Sequence, residues 1–274
     1  MNVLPWLALV GLAGLVGWLA RLRWSRRRRV RRIREVLAEP GDTSDRFEPA
    51  TLSHLPEPAR AYLRHSIAPG VPLARWADVR MSGTLRLSPG GDWIPFEARE
   101  RICPARGFLW EARLAVLGRL ALEGADWLLG DDAATEFSLG GWIPAVRQHG
   151  EELARSAAGR LLVELIWLPS ALTPQRGAVW APGDPSRAVV TPRGSSTPMS
   201  VLVDPDGRLL QVSLVRRRVA TDGRISVSPF GAVVEEEAAM GDFTVPVKVA
   251  GSWGIGTDDE YEFFRAEIVD VTWY

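Results

Sequence analysis

From Arg75 onward the dominant pattern has a period of two, and a chain that keeps such a period builds antiparallel sheet with one face buried. In DVRMSGTLRL, Val79, Met81, Leu85 and Leu87 share one side, while Arg80, Ser82, Thr84 and Arg86 share the other. Phe96, Ala98, Glu100 and Ile102 then alternate with Glu97, Arg99 and Arg101, and Phe108, Trp110, Ala112 and Leu114 alternate with Glu111 and Arg113. Further strands are predicted at about 117–129, 134–142, 176–181, 187–192, 198–203, 208–219, 231–239, 244–252 and 260–273. Turn residues punctuate them: Pro89-Gly90-Gly91-Asp92, Gly130-Asp131-Asp132, Asp204-Pro205-Asp206-Gly207 and Asp222-Gly223.

The pattern breaks at Gly150. EELARSAAGRLLVELIWL predicts a helix over 151–168, ended by Pro169, and its second half is apolar nearly all round, as in a buried helix. The expected class is therefore α+β, mainly antiparallel β. A strongly curved sheet or half-barrel of about ten strands wraps one central apolar helix, preceded by an N-terminal transmembrane helix. No internal repeat of fixed period is visible, and two similar β-halves around the helix stay open as an arrangement.

The N-terminus obeys different rules. Val3 to Ala20 carries no charge, and 18 residues of helix span roughly 27 Å, close to the hydrocarbon thickness of a bilayer. Trp6 and Trp18 sit near its ends, where indole rings favour the interface. Nothing basic precedes the stretch and Arg21 follows it at once, which favours an anchor over a cleaved signal peptide. Residues 1–34 hold nine Arg and no acid, whereas the other 240 residues hold 24 basic and 33 acidic side chains, so the net charge of zero conceals two opposite segments. Positive charge stays on the cytoplasmic side of a membrane helix. The N-terminus is thus expected outside the cell membrane and the bulk of this single-pass chain in the cytoplasm. Arg21, Arg23, Arg26, Arg27, Arg28 and Arg29 are expected to face the membrane surface and its anionic headgroups. An adjacent membrane helix explains this Arg run better than nucleic-acid binding does. The basic helix is predicted to continue to about Glu39, with Pro40-Gly41-Asp42 ending it and another helix over Pro56–Ser66. The expected organisation is an anchor at 1–20, a basic juxtamembrane helix and linker at 21–50, and one β-rich domain at 51–274.

Several short motifs resemble those of a family of uncharacterised bacterial proteins. They are Leu55-Pro56-Glu57-Pro58 running to Tyr62-Leu63; Trp93-Ile94-Pro95-Phe96-Glu97-Ala98; Phe108-Leu109-Trp110; the set Arg160, Glu164, Trp167, Pro169, Ala171 and Leu172; and Asp242-Phe243, Val245-Pro246 and Trp253. The resemblance covers roughly residues 52–274. It implies a domain boundary and no reaction.

Catalytic signatures are missing: no HExxH, CxxC, Gly-x-Ser-x-Gly or P-loop occurs. One cysteine, Cys103, excludes an internal disulfide and a multi-Cys zinc site, and reads as a buried structural thiol. His54, His65 and His149 lack metal spacing and read as surface or capping residues. Asp131-Asp132 and Asp258-Asp259 read as turn residues, with calcium as a minor alternative. Only one basic residue, Lys248, is a lysine. Arg216-Arg217-Arg218 and Glu235-Glu236-Glu237 read as runs that pair across strands or face solvent.

The most informative acid is Glu164, because a carboxylate within Leu161-Leu162-Val163-Glu164-Leu165-Ile166-Trp167 is costly unless paired, and Arg160 lies one turn earlier on the same face. The pair reads first as a structural ion pair locking helix to sheet, and second as a polar anchor inside a ligand cavity. Trp93, Trp110, Trp127, Trp142 and Trp167 are candidates for the same interior. The candidate ligand-binding set is Trp93, Phe96, Trp110, Arg160, Glu164 and Trp167, with no catalytic residue, metal or cofactor assigned. The leading expectation is a membrane-anchored, non-enzymatic module that holds an apolar or lipid-like small molecule in a curved sheet. The alternatives are a membrane-tethered scaffold for a protein partner, and an enzyme using Glu164 or Asp126.

Overall fold

A computed structural model describes residues 4–38, 44–118, 120–219 and 224–274, without the side chains of residues 4–6, 8, 10 and 117. The expected helix end at 40–42, the turn at 222–223 and the Trp6 side chain fall outside these. Three helices are described: α1 (Leu4–Leu37), α2 (Glu57–Ser66) and α3 (Glu151–Glu164). One wing of strands runs β1 (Ala77–Leu85), β2 (Ile94–Cys103), β3 (Gly107–Leu117), β4 (Leu120–Leu129), β5 (Asp132–Leu139) and β6 (Ile143–His149). The other wing runs β7 (Val179–Pro182), β8 (Arg187–Thr191), β9 (Met199–Val203), β10 (Leu209–Val219), β11 (Ile225–Met240), β12 (Phe243–Trp253) and β13 (Tyr261–Trp273).

All thirteen strands form one antiparallel sheet in the order β6-β5-β4-β3-β2-β1-β13-β12-β11-β10-β9-β8-β7. The sheet has thirteen strands rather than about ten, and it does not close: β6 and β7 are its two edges. β6 escaped the sequence pattern because every side chain from Ile143 to His149 is exposed or half-exposed, so no apolar parity marks it. Each wing is a meander, and the two join where β1 pairs with β13. The chain crosses from one edge to the other through α3 and short 3-10 turns. The expected helix over 151–168 is α-helical only to Glu164; Leu165–Trp167 tightens into a 3-10 turn. Pro169 explains the change, since a residue before proline is pushed out of the α region and Leu168 sits at φ −134, ψ 66.

The inner face carries the main core, and two helices rather than one fill it. α3 packs on β3, β4, β5, β6 and β10, while α2 packs on β8, β9 and β12. Trp167 Nε1 donates to Pro246 O at 3.1 Å and Trp273 Nε1 donates to Trp167 O at 2.9 Å, tying the turn after α3 to β12 and β13. The hairpin expected at 204–207 forms, with Asp204 Oδ1 accepting from the N–H groups of Asp206 and Arg208. Gly207 is required there: at φ +87 an added Cβ would lie 2.3 Å from Ala61 O of α2.

α1 is continuous through the apolar stretch and the Arg run. Among the described residues no helix is long and apolar enough to cross a membrane. The C-terminal half of α1 lies on the outer face of the sheet. Ile33 and Leu37 are buried there against Trp76, Cys103, Leu109 and Trp127, each contributing about 1.5–3 kcal/mol. Trp127 therefore belongs to this outer cluster and not to the interior. Polar contacts frame the contact. Arg29 pairs with Glu136 at 2.9 Å, Arg34 with Glu111, and Arg26 donates to Ser138 Oγ and, at 3.0 Å, to Gly141 O. Arg23 lies 4.4 Å over the exposed Trp142 ring. In contrast, Leu7, Leu9, Leu12, Leu15, Val16, Trp18 and Trp24 are all more than half exposed.

Candidate functional site

Strand register aligns one polar row across the inner face. Glu100 of β2 opposes Trp110 of β3, Trp110 opposes Asp126 of β4, and Asp126 opposes Thr135 of β5. α3 lowers Arg160 onto this row. Arg160 Nε donates to Glu164 Oε1 at 2.5 Å, Nη1 to Asp126 Oδ2 at 2.6 Å and Nη2 to Glu100 Oε1 at 3.1 Å. Thr135 Oγ1 donates to the other Asp126 oxygen at 2.9 Å. One guanidinium thus holds three carboxyls from a helix and two strands, with its central carbon 4.6 Å from the centre of the Phe108 ring.

Arg216 of β10 completes the cluster from the opposite wing. Its Nε donates to Ser156 O of α3 at 2.8 Å, and its guanidinium lies 4.2 Å over Phe230 and 4.8 Å over Trp253. Gly159 makes room for it: a Cβ at that position would sit 3.0 Å from Arg216 Cγ. Burial, then repulsion from Arg160, pushes Arg216 down to about 9, so it remains cationic at neutral pH. Burial also opposes the charge of Arg160, but Glu164, Glu100 and Asp126 outweigh it and raise that group.

The carboxyls respond in the opposite sense. Burial, and then the charge of Glu164, holds Glu100 well above the usual carboxylate range, against the pull of Arg160. Burial also raises Glu164, with Arg160 opposing. The two carboxyls are close enough to hydrogen-bond each other, and Glu100 Oε2 and Glu164 Oε2 receive no other donor. A neutral Glu100 leaves two cations facing two anions, which balances the cluster.

Beside this cluster lies a cavity of about 240 Å³ between α3 and the β10–β13 wing. Asp126, Arg160, Glu164 and Arg216 line it with charge, and Phe230, Trp253, Phe263 and Phe264 give it an aromatic wall against which Arg216 lies. Trp110 lines it too, and its indole N–H is buried without an acceptor among the described residues. Gly231 and Gly251 also line it, and Gly231 is needed for the close approach of β10, since a Cβ there would strike Val212 O at 2.1 Å. Among the described residues no Ser, Thr, Cys, His or Lys lines this space.

Of the expected ligand-binding set, Trp110, Arg160, Glu164 and Trp167 meet at the cavity. Phe96 lies behind it, edge-on to Trp110 at 5.7 Å and stacked on Phe264 at 5.2 Å. Trp93 stands apart at the β1–β2 turn, between Arg86 and Arg265 at 4.8 and 4.7 Å. Sequence reasoning overlooked Glu100, Arg216, Phe230, Trp253 and Phe264. The runs Arg216–Arg218 and Glu235–Glu237 do not pair with each other: Arg216 opposes Ser228, Glu237 holds His65 at 2.9 Å, and Lys248 lies near Glu235 and Glu236. Among the described residues no group of three His, Cys, Asp or Glu is placed to hold a metal ion.

Among solved structures, the chain is similar to a LolA superfamily protein from Nitrosomonas europaea, with 11% identity and a TM-score of 0.43 over 79% of this chain and 92% of that one. It is also similar to a DUF1329 family protein from Desulfovibrio piger, with 9% identity and a TM-score of 0.39 over 83% of this chain and 94% of the other. No curated protein matches the chain. A family model described as a family of unknown function (DUF6544) matches residues 45–266, which is most of the length, and the chain belongs to that family.

Proposed function

We propose that this chain is a membrane-anchored, non-enzymatic module that holds a lipid-like ligand at the cavity between α3 and the β10–β13 wing. The observation that carries the reading is one cavity lined by both an aromatic cluster and charged side chains. Such a space suits an amphipathic molecule with one apolar chain or ring. Its volume lies below that of drug-sized sites, which argues against a whole two-chain lipid. The carboxyls and arginines are bonded to one another, and among the described residues no Ser, Thr, Cys, His or Lys lines the cavity, so holding a ligand fits better than transforming one.

Membrane attachment is part of the same proposal. Leu7, Leu9, Leu12, Leu15 and Val16 of α1 are more than half exposed, and a bilayer would cover them. The Arg-rich half would then lie at the cytoplasmic surface, with Arg21, Arg27 and Arg28 nearest to headgroups and the domain directly beneath. Native mass spectrometry of the detergent-extracted full chain tests the ligand. The expected result is a bound mass that organic extraction removes and that added oleate restores. A chain that carries no such mass and takes up no oleate overturns the reading. Alkaline extraction and a C-terminal reporter test the attachment, with a washed-off protein or an external C-terminus counting against it.

A further inference from the structure

A second, wider depression of about 1040 Å³ runs beside α3, bounded by β10 and the loop between β8 and β9. Six arginines line it: Arg75, Arg155, Arg176, Arg193, Arg216 and Arg217. Among the described residues no Asp or Glu lines it. Part of this charge is neutralised from outside the groove. Arg155 reaches Glu151 and Glu152, Arg217 reaches Glu152 at 3.1 Å, and Arg176 reaches Asp45 at 3.4 Å. Arg193 has no carboxylate within ion-pair distance among the described residues, whereas Arg216 makes no direct ion pair but feels the charges of Glu164 and Asp126 from the cavity side. Ser196 and Thr197 add hydroxyls on the loop side, and Leu161 and Leu162 of α3 give the floor an apolar strip.

Arg216 lines this groove and the aromatic cavity alike. It is the residue through which a single molecule would touch both. Repulsion among clustered guanidinium groups is costly unless an anion joins them, and a phosphate oxygen set matches the guanidinium fork in geometry and charge. From these placements we infer that the arginine groove is a phosphate site, and that Arg216 couples it to the cavity so that the preferred ligand is a phosphate-bearing amphiphile with one apolar chain. The inference rests on the proposed lipid-like ligand for its apolar half only; the phosphate half stands on the arginines.

Titration calorimetry on the detergent-solubilised full chain, with three probes, separates the parts: inorganic phosphate, oleoyl lysophosphatidate and oleyl alcohol. Lysophosphatidate is expected to bind about tenfold or more tighter than either other probe, since one charge-assisted contact is worth that much. Arg216→Gln and Arg193→Gln are each expected to weaken lysophosphatidate about tenfold, and Arg193→Gln, which lies outside the cavity, to leave oleyl alcohol within about twofold. Arg193 touches neither the buried carboxyls nor the cavity, so its variant answers the question if Arg216→Gln does not fold. Phosphate binding as tight as lysophosphatidate binding, and lost in Arg193→Gln, supports the phosphate site with the free ion as its source and overturns the coupling. Equal binding of lysophosphatidate and oleyl alcohol, unmoved by either variant, overturns the phosphate site while the lipid-like ligand stands. Failure of both chain-bearing probes, with phosphate still bound, removes the lipid-like ligand and keeps the groove. No binding of any probe overturns both.

Discussion

Glu100→Gln exchanges a buried carboxyl for a neutral amide of nearly the same shape, so it separates the charge of Glu100 from its volume. Arg160 and Arg216 bring two positive charges to the cluster, and Glu164 and Asp126 bring two negative ones. A third anion would unbalance it. Burial and the neighbouring Glu164 accordingly hold Glu100 protonated well above the usual range. In the unfolded chain the same group titrates near 4.3. Between those two values the folded state carries one proton more than the unfolded state, so stability falls as pH rises. The slope is at most about 1.4 kcal/mol per pH unit, reached where the two states differ by a full proton. Gln cannot titrate and does not lose this stability. Urea unfolding followed by Trp emission, run on both proteins across that range, reads it out. The curves are expected to meet near about pH 4.5 and to separate toward neutrality, with the variant the more stable. Parallel pH dependences, or a variant weaker by several kcal/mol at every pH, would mean that Glu100 is ionised in the fold and held by Arg160. Either result would refute the charge balance drawn above.

Other substitutions probe the same region. Arg160→Met strips three carboxyls of their shared cation and is expected to cost about 3–5 kcal/mol in chemical denaturation; a cost below about 1 kcal/mol would show a hydrated cluster instead. Trp110→Phe removes a buried N–H that has no acceptor, and the ligand-free protein is expected to be unchanged or about 1 kcal/mol more stable. A clear loss of stability would reveal an acceptor there. Gly159→Ala ordinarily gains about 1 kcal/mol in a helix interior, but here the new Cβ meets Arg216. The gain is expected to vanish in the denaturant midpoint, and a full gain would show that Arg216 moves aside freely.

Much of the fold was legible because one face of nearly every strand is buried. In β2 and β3 the inward parity of Phe96, Ala98, Ile102, Phe108, Ala112 and Leu114 can be read directly from the residues. The Arg160–Glu164 pair was legible for a similar reason, since i and i+4 share a helix face. Its partners were harder. Glu100 occupies an inward position between Ala98 and Ile102, and Arg216 follows Val212 and Leu214 at the same parity in β10. Each is a charge on an apolar side, but only the tertiary fold shows that Arg160 and the carboxyls lie close enough to compensate them. The docking of α1 left a fainter mark. Leu109 and Trp127 are apolar at outward positions, where a strand facing only water would carry polar residues. The aromatic wall was illegible, because nothing local distinguishes Phe230, Trp253 and Phe264 from ordinary core.

The join between β1 and β13 has a consequence for synthesis. Arg80 and Asp270 lie side by side although 190 residues separate them. On the ribosome β1 therefore waits, one of its edges unpaired, until β13 has been made, and that open edge invites the wrong strand throughout the delay. The centre of the finished sheet is the last part that can form. A chain shortened by its final strand would lose the hinge between two wings, not a fringe. Premature release should accordingly yield two disconnected half-sheets that aggregate, and this protein should fold slowly and depend on chaperones more than its strand count alone suggests.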